Sequence, residues 1–141
     1  MTPAAPKPMG FYLHIPFCDG KCPYCDFYSL AADSETMDAY CEKLREELLA
    51  WGAKRPGVVD TLYFGGGTPG LLGADRLARL IEAAQKAFPF APDTEITVET
   101  NPGSAGDLDF SALRLAGANR LSIGLQSALG PELKFLGRRH T

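Results

Sequence analysis

Three cysteines, Cys18, Cys22 and Cys25, fall within the eight residues "CDGKCPYC". The two gaps are unequal, three residues and then two, so the loop is not a plain C-x-x-C pair. Three thiolates so close together suit iron–sulfur chemistry. A cubane cluster has one more iron than this loop has thiols, which leaves one iron open to a substrate or cosubstrate. Zinc is the rival. It takes a fourth protein ligand in a structural site or a water in a catalytic one. His14 stands near enough in sequence to be that ligand, although a strand histidine is more often packed or hydrogen-bonded. Cys41 is the fourth cysteine. It lies in the helically patterned "MDAYCEKLREELLAW" and reads as a small half-buried hydrophobe.

Other chemistry-bearing residues are spread along the chain. "GGGTPG" fits G-x-G-x-x-G as Gly65, Gly67 and Gly70, with Glu99 ending the next strand. That is a passable dinucleotide fingerprint, weakened by Pro69 and by a helix that starts several residues later. The narrower claim is that bare glycines let backbone groups approach a ligand, while Thr68 adds a hydroxyl. Glu99 could take a ribose diol or be a solvated strand end. Gln126 and Arg138 likewise carry bland readings as exposed polar residues.

The elements that position these residues alternate. "GFYLHI" (Gly10–Ile15) reads as a strand, Ser34 to about Ala53 as a helix capped by Ser34 or Asp33, and Val58–Phe64 as a strand. Ala74–Phe88 follows as a helix, Thr94–Thr100 as a strand stopped by Asn101-Pro102-Gly103, and Phe110–Leu115 as a short helix ending at Gly117. Asn119–Ser127 is a fourth strand with its exit, and a further helix begins near Pro131. Such alternation predicts right-handed βαβ units and a parallel sheet. Ligands bind at the C-terminal ends of such strands. The cysteine loop, Gly65–Pro69, Glu99 and Gln126 all collect there.

The 141 residues suffice for one domain core, and the net charge of −3 without a Lys/Arg run argues against nucleic acid as a partner. The Pro- and Ala-rich start predicts a disordered leader over residues 1–9. It lacks the apolar core of a signal peptide, and no stretch is long enough to span a bilayer. A cytoplasmic location is therefore expected, where clustered thiols hold metal rather than form disulfides. A fourth parallel strand without a neighbour would be a bare edge. Residues 10–141 are thus expected to be the N-terminal portion of a longer domain, with a complete small domain as the alternative.

The pattern C-x-x-x-C-x-aromatic-C, as Cys18, Cys22, Tyr24 and Cys25, resembles the signature loop of radical S-adenosylmethionine (SAM) proteins. More narrowly, "YLHIPFC", "LYFGGGTP", "ITVETNP", "RLSIGLQS" and "LKFLGRRH" resemble the oxygen-independent coproporphyrinogen III oxidase-like family, over nearly the whole chain after the leader. The resemblance implies an α/β fold, the first four strands of a partial (β/α)₆ TIM-like barrel. It implies a [4Fe–4S] cluster on Cys18, Cys22 and Cys25, with SAM chelating the open iron. Tyr12 and Tyr24 would flank the cofactor, Gly66, Gly67 and Thr68 line its methionine end, and Glu99 take its ribose. Gln126 and Arg138 would complete the pocket. Reductive cleavage of SAM to a 5′-deoxyadenosyl radical belongs to the cofactor, while the protein orients and shields it.

Within that family, the decarboxylating oxidases typically carry a fourth cysteine two residues after the third. Phe27 stands there in this chain. The "CDF" form resembles the HemW branch of haem chaperones, which implies haem binding and delivery to recipient haemoproteins. Porphyrinogen oxidation in porphyrin biosynthesis is the runner-up, and a zinc or dinucleotide module the alternative of another class. An electron donor is a further implied partner. The haem contacts are expected beyond Thr141, so His14, His140 and Cys41 are not taken as haem ligands.

Overall fold

Alternating apolar residues build one sheet of four strands, β1 (Pro8–Ile15), β2 (Val58–Gly66), β3 (Phe90–Thr100) and β4 (Arg120–Ile123). The computed structural model describes residues 7–55 and 57–141. All neighbouring strands pair parallel, in the order β1-β2-β3-β4. Each new strand therefore adds on the same side, as in a barrel wall. The fold is α/β, with a parallel core consistent with part of a (β/α)₆ barrel.

The intervening helices are α1 (Ser34–Gly52), α2 (Ala74–Ala87), α3 (Pro102–Ala105), α4 (Phe110–Ala116) and α5 (Gly130–Phe135). Asp33, rather than Ser34, caps α1: its carboxylate accepts from the Thr36 backbone N–H at 2.8 Å. Asp109 caps α4 in the same way, and Gly117 ends it at φ +117°, a left-handed conformation that glycine adopts without cost.

The sheet has two unlike faces. Leu13 and Ile15, Leu62 and Phe64, and Ile96 and Val98 point one way and are buried under Leu77, Leu80, Ile81 and Ala84 of α2. Burying each large side chain contributes roughly 1.5–3 kcal/mol. From α1, Leu48 joins this core, with Met37, Tyr40, Cys41 and Leu44 packed against it. Tyr40 also donates to the His14 carbonyl at 2.5 Å and meets the Phe17 ring edge-on at 5.3 Å. The helix is thereby pinned to the exit of β1. The opposite face is polar. In strand register, Tyr12, Tyr63, Thr97 and Arg120 form one row. His14 with Gly65, and Glu99 with Ser122, extend the next. A parallel sheet is usually covered on both faces, so a polar face turned away from the helices is the natural place for a ligand.

Several boundaries differ from the sequence expectation. The strand expected from Gly10 starts at Pro8, so Pro8 and Met9 do not belong to a leader. Of the rest of the expected leader, Lys7 is described and precedes the strand, and residues 1–6 lie outside the described residues. β3 begins at Phe90, four residues early, because Phe90 pairs with Val59 across a register shift that absorbs Pro92. β4 stops at Ile123, and residues 124–127 are its irregular exit. Asn101-Pro102-Gly103 is not merely a stop. Asn101 and Ser104 form a capping box that opens α3. Among the described residues, no helix is long and apolar enough to cross a membrane.

Candidate functional site

The cysteine loop is closed at its base. Phe17 and Leu30 form a parallel bridge, with the Cys18 N–H donating to the Leu30 carbonyl at 3.0 Å and the Leu30 N–H to the Pro16 carbonyl at 2.8 Å. Inside the loop, the Cys25 N–H donates to the Cys22 carbonyl at 3.0 Å, a turn that sets the second cysteine gap. The glycine loop runs alongside. Gly67 N–H donates to Ile15 O at 2.8 Å, and Thr68 N–H to Phe17 O at 2.6 Å. A β-carbon on Gly67 would collide with the Phe17 backbone, so glycine is required for this close approach. Gly66 sits at φ +115°, with the His14 ring where its side chain would be.

A chain of polar contacts joins two of the thiols. Cys18 Sγ lies 3.4 Å from Thr68 Oγ1, which accepts from Asn101 Nδ2 at 3.1 Å. Asn101 Oδ1 accepts from Arg138 Nη2 at 2.8 Å, and Arg138 Nη1 points at Cys22 Sγ at 3.6 Å. Arg138 also donates to the Gly124 carbonyl at 2.6 Å and meets Tyr24 Oη at 3.5 Å. The residues after α5 thus fold back onto the cysteine loop. Gly137 packs on Pro23, while Arg139 lies over Gly20 and pairs with Asp19 at 3.2 Å. A cleft of about 540 Å³ runs between loop and tail, bordered by Cys18, Cys22, Thr68, Asn101 and Arg138.

On the polar sheet face, Tyr63 donates a hydroxyl hydrogen bond to Glu99 and lies parallel to Tyr12, ring centroids 6.1 Å apart. The Glu99 carboxylate, and then burial, hold the Tyr63 phenol above its ordinary pKa. Burial, then Glu99, does the same to Tyr12. Tyr12 nevertheless remains 55% exposed and Tyr24 48%, so both rings present free faces at the mouth. For Tyr24 burial is again the first cause of a raised pKa, and its contact with Cys22 the second. A β-carbon on Gly65 would lie 2.8 Å from the Tyr12 ring, 2.9 Å from Tyr63 and 3.2 Å from Glu99. The bare glycine lets two rings and a carboxylate close in on the strand backbone. Gln126 stands beyond β4 at φ +65°, uncommon for a non-glycine residue, with its amide beside Gly124.

The sequence-derived site residues therefore fall into two neighbouring groups. Cys18 touches Thr68, and Cys22 touches Tyr24 and Arg138, the two sets being joined through Asn101. Tyr12 and Glu99 lie on the polar sheet face, next to Gly65. Asn101 and Tyr63 were not singled out as site residues from the sequence, and Gly65 only as one glycine of the loop. Asn101 has a signal there, an Asn-Pro step with Ser104 three residues on, whereas Tyr63 reads as one more strand aromatic.

The rival readings lose their footing. His14 Nε2 faces the Tyr28 carbonyl at 3.3 Å, so it carries the proton, and Nδ1 accepts from Tyr12 Oη at 3.1 Å. Both nitrogens are engaged, and a structural zinc site would lack its fourth protein donor. For a dinucleotide, the glycines should open a helix. Instead Pro69–Leu72 form a single 3₁₀ turn, and α2 starts beyond it.

All four cysteines are free, and each is partly exposed. Among the described residues, no group of three His, Cys, Asp or Glu side chains is gathered for a single metal ion. A single tetrahedral ion needs its donors converging on one point, whereas a cluster takes each thiolate on a different iron. Three free thiols on one tethered loop, beside a buried Arg138 Nε with no partner, fit a cluster with an anionic group next to it. Cys41 is set apart. It lies on α1, away from the loop, and burial pushes its thiol up to about 11. A raised folded-state pKa stabilises the fold fully below the unfolded value and loses that contribution as pH rises toward 11. At mildly alkaline pH, Cys41 should therefore alkylate last. Mass spectrometry of an iodoacetamide time course checks the order, and early modification of Cys41 would contradict its placement.

Comparison with known proteins points the same way. The model of a family described as the radical SAM superfamily matches residues 12–141. The chain is 41% identical over 145 residues to the haem chaperone HemW of Mycobacterium tuberculosis (strain ATCC 25618 / H37Rv), covering 100% of this chain and 37% of that protein. It is 42% identical over 137 residues to the haem chaperone HemW of Escherichia coli (strain K12), covering 94% and 36%. Among solved structures, the coproporphyrinogen III oxidase HemN of Escherichia coli, a radical SAM enzyme, superposes with a TM-score of 0.84 at 27% identity. That match covers 97% of this chain and 32% of the other. The chain spans about a third of the length of the curated relatives it matches.

Proposed function

The chain belongs to the radical SAM superfamily, and on that premise we propose that Cys18, Cys22 and Cys25 hold a [4Fe–4S] cluster in a protein that carries haem to haemoproteins. Bound together, cluster and SAM supply one-electron reductive chemistry that no side chain provides. The chain's own residues bind and orient. Arg138, cationic and with a buried N–H unpartnered, receives the carboxylate of SAM. Glu99, oriented by Tyr63, takes the ribose hydroxyls. Gly66, Gly67 and Thr68 line the methionine end, Tyr12 and Tyr24 flank the cofactor with their exposed rings, and Gln126 closes the pocket from the exit of β4.

Phe27 carries the chaperone reading over the oxidase one. It is exposed, 66% by surface, at the position where the oxidases resembling this chain carry a further cysteine. Higher identity to the HemW chaperones than to the HemN oxidase supports the same choice. Residues 10–141 would then be the first part of the radical SAM core, in a cytoplasmic protein. The haem contacts would lie on the remainder of a protein as long as those relatives.

The test uses the complete protein, handled anaerobically with SAM and a low-potential electron donor. It should bind haem at about one per chain, yet leave the propionates of coproporphyrinogen III intact. Sustained decarboxylation, followed by chromatography of the porphyrins, would overturn the chaperone reading in favour of the oxidase.

A further inference from the structure

We propose that Asn101 is a positioning residue that aims the Thr68 hydroxyl at the sulfur of Cys18 and so raises the reduction potential of the cluster. This inference rests on the cluster reading above. It begins with Arg138, whose guanidinium has only donors to offer. Arg138 Nη2 lies 2.8 Å from the Asn101 side chain, so the amide oxygen must face it. The amide nitrogen must then face Thr68 Oγ1, 3.1 Å away. A hydroxyl has one hydrogen. With Oγ1 accepting from Asn101, that hydrogen is left for Cys18 Sγ, 3.4 Å away.

Little competes for it. Thr68 is only 3% exposed, so solvent does not share the hydroxyl. The main chain of Asn101 is fixed by its capping box, with its N–H donating to Ser104 Oγ at 3.2 Å. Gly124 has no side chain in the way, and a β-carbon there would come within 2.9 Å of Asn101 Oδ1. One amide thus sets the direction of a proton next to one thiol and anchors the arginine that reaches another. Hydrogen bonds to the sulfurs of a cluster stabilise its more negative, reduced form and raise its potential.

Asp at this position supplies a discriminating change. A carboxylate still accepts from Arg138, but it cannot donate to Thr68. The hydroxyl then turns to the carboxylate and leaves Cys18 Sγ. An added negative charge lowers the potential by itself, so the experiment is a cycle in the full chain. Unaltered protein, Asn101→Asp, Thr68→Val and the double variant are reconstituted anaerobically and titrated by electron paramagnetic resonance. Thr68→Val should lower the midpoint potential. Asn101→Asp should lower it more in the unaltered background than in Thr68→Val, where only the charge remains to act. Equal shifts in the two backgrounds would overturn the proposal. An unshifted potential in Thr68→Val alone would do so too, even if the Asp variants failed to load iron. Failure of the unaltered protein to assemble any cluster would instead refute the cluster reading itself.

Discussion

Replacing any one of Cys18, Cys22 or Cys25 with alanine is expected to abolish the iron centre, while Cys41→Ala leaves it in place. Anaerobic reconstitution with iron and sulfide should load about four irons per chain of unaltered protein and give broad absorption near about 400 nm. Each loop variant should fall below about one iron, with that absorption lost. The difference follows from where the thiols stand. Cys18, Cys22 and Cys25 share a loop tied at its base by the Phe17–Leu30 bridge, and on the proposed reading all three hold the cluster. Cys41 is on α1, packed against the core with its thiol held protonated. Iron and sulfide assays decide the matter. Unchanged iron in all three loop variants would refute the assignment, and iron lost equally in Cys41→Ala would mean that the reading of α1 is wrong.

Gly67→Val should be the most damaging single substitution near the site. Its first side-chain carbon would fall on the Phe17 carbonyl, and neither partner is a side chain that can swing away. Forced overpacking typically costs about 1–3 kcal/mol, and a clash between two backbone segments belongs at the upper end or beyond. Two hydrogen bonds would be disturbed at once, from Gly67 to Ile15 and from Thr68 to Phe17. The expected outcome is a drop of about 3 kcal/mol in unfolding free energy by urea denaturation, together with poor iron loading. Gly103→Ala is the control. No atom lies within 4 Å of the added carbon, so its stability should change by less than about 0.5 kcal/mol. Similar losses in the two variants would mean that the close approach at Gly67 has no special weight.

Much of this was legible before any coordinates. The core strands announced themselves by alternation, because Leu62 and Phe64, or Ile96 and Val98, must share a buried face. The cysteine spacing and the glycine run were equally plain. What escaped was whatever depends on distant partners. Asn101 matters through Thr68, 33 residues away, and through Arg138, 37 residues away. Arg138 was marked as a pocket residue, but its reach to Cys22 spans 116 residues of chain. Gly65 is the glycine that faces Tyr12, Tyr63 and Glu99, and a run of three glycines does not say which faces where. The early start of β3 was hidden by Pro92, which argues against a strand unless a register shift accommodates it.

The Phe17–Leu30 bridge has one more consequence, for the life of the protein rather than its chemistry. It fences the cysteine loop off from the sheet, since backbone bonds on both sides of the fence close independently of what the thiols hold. Segments so bounded open locally at far lower cost than the whole domain. Local opening of residues 18–29 would then disturb the tail that Arg138 and Arg139 lay against them, and spare the sheet.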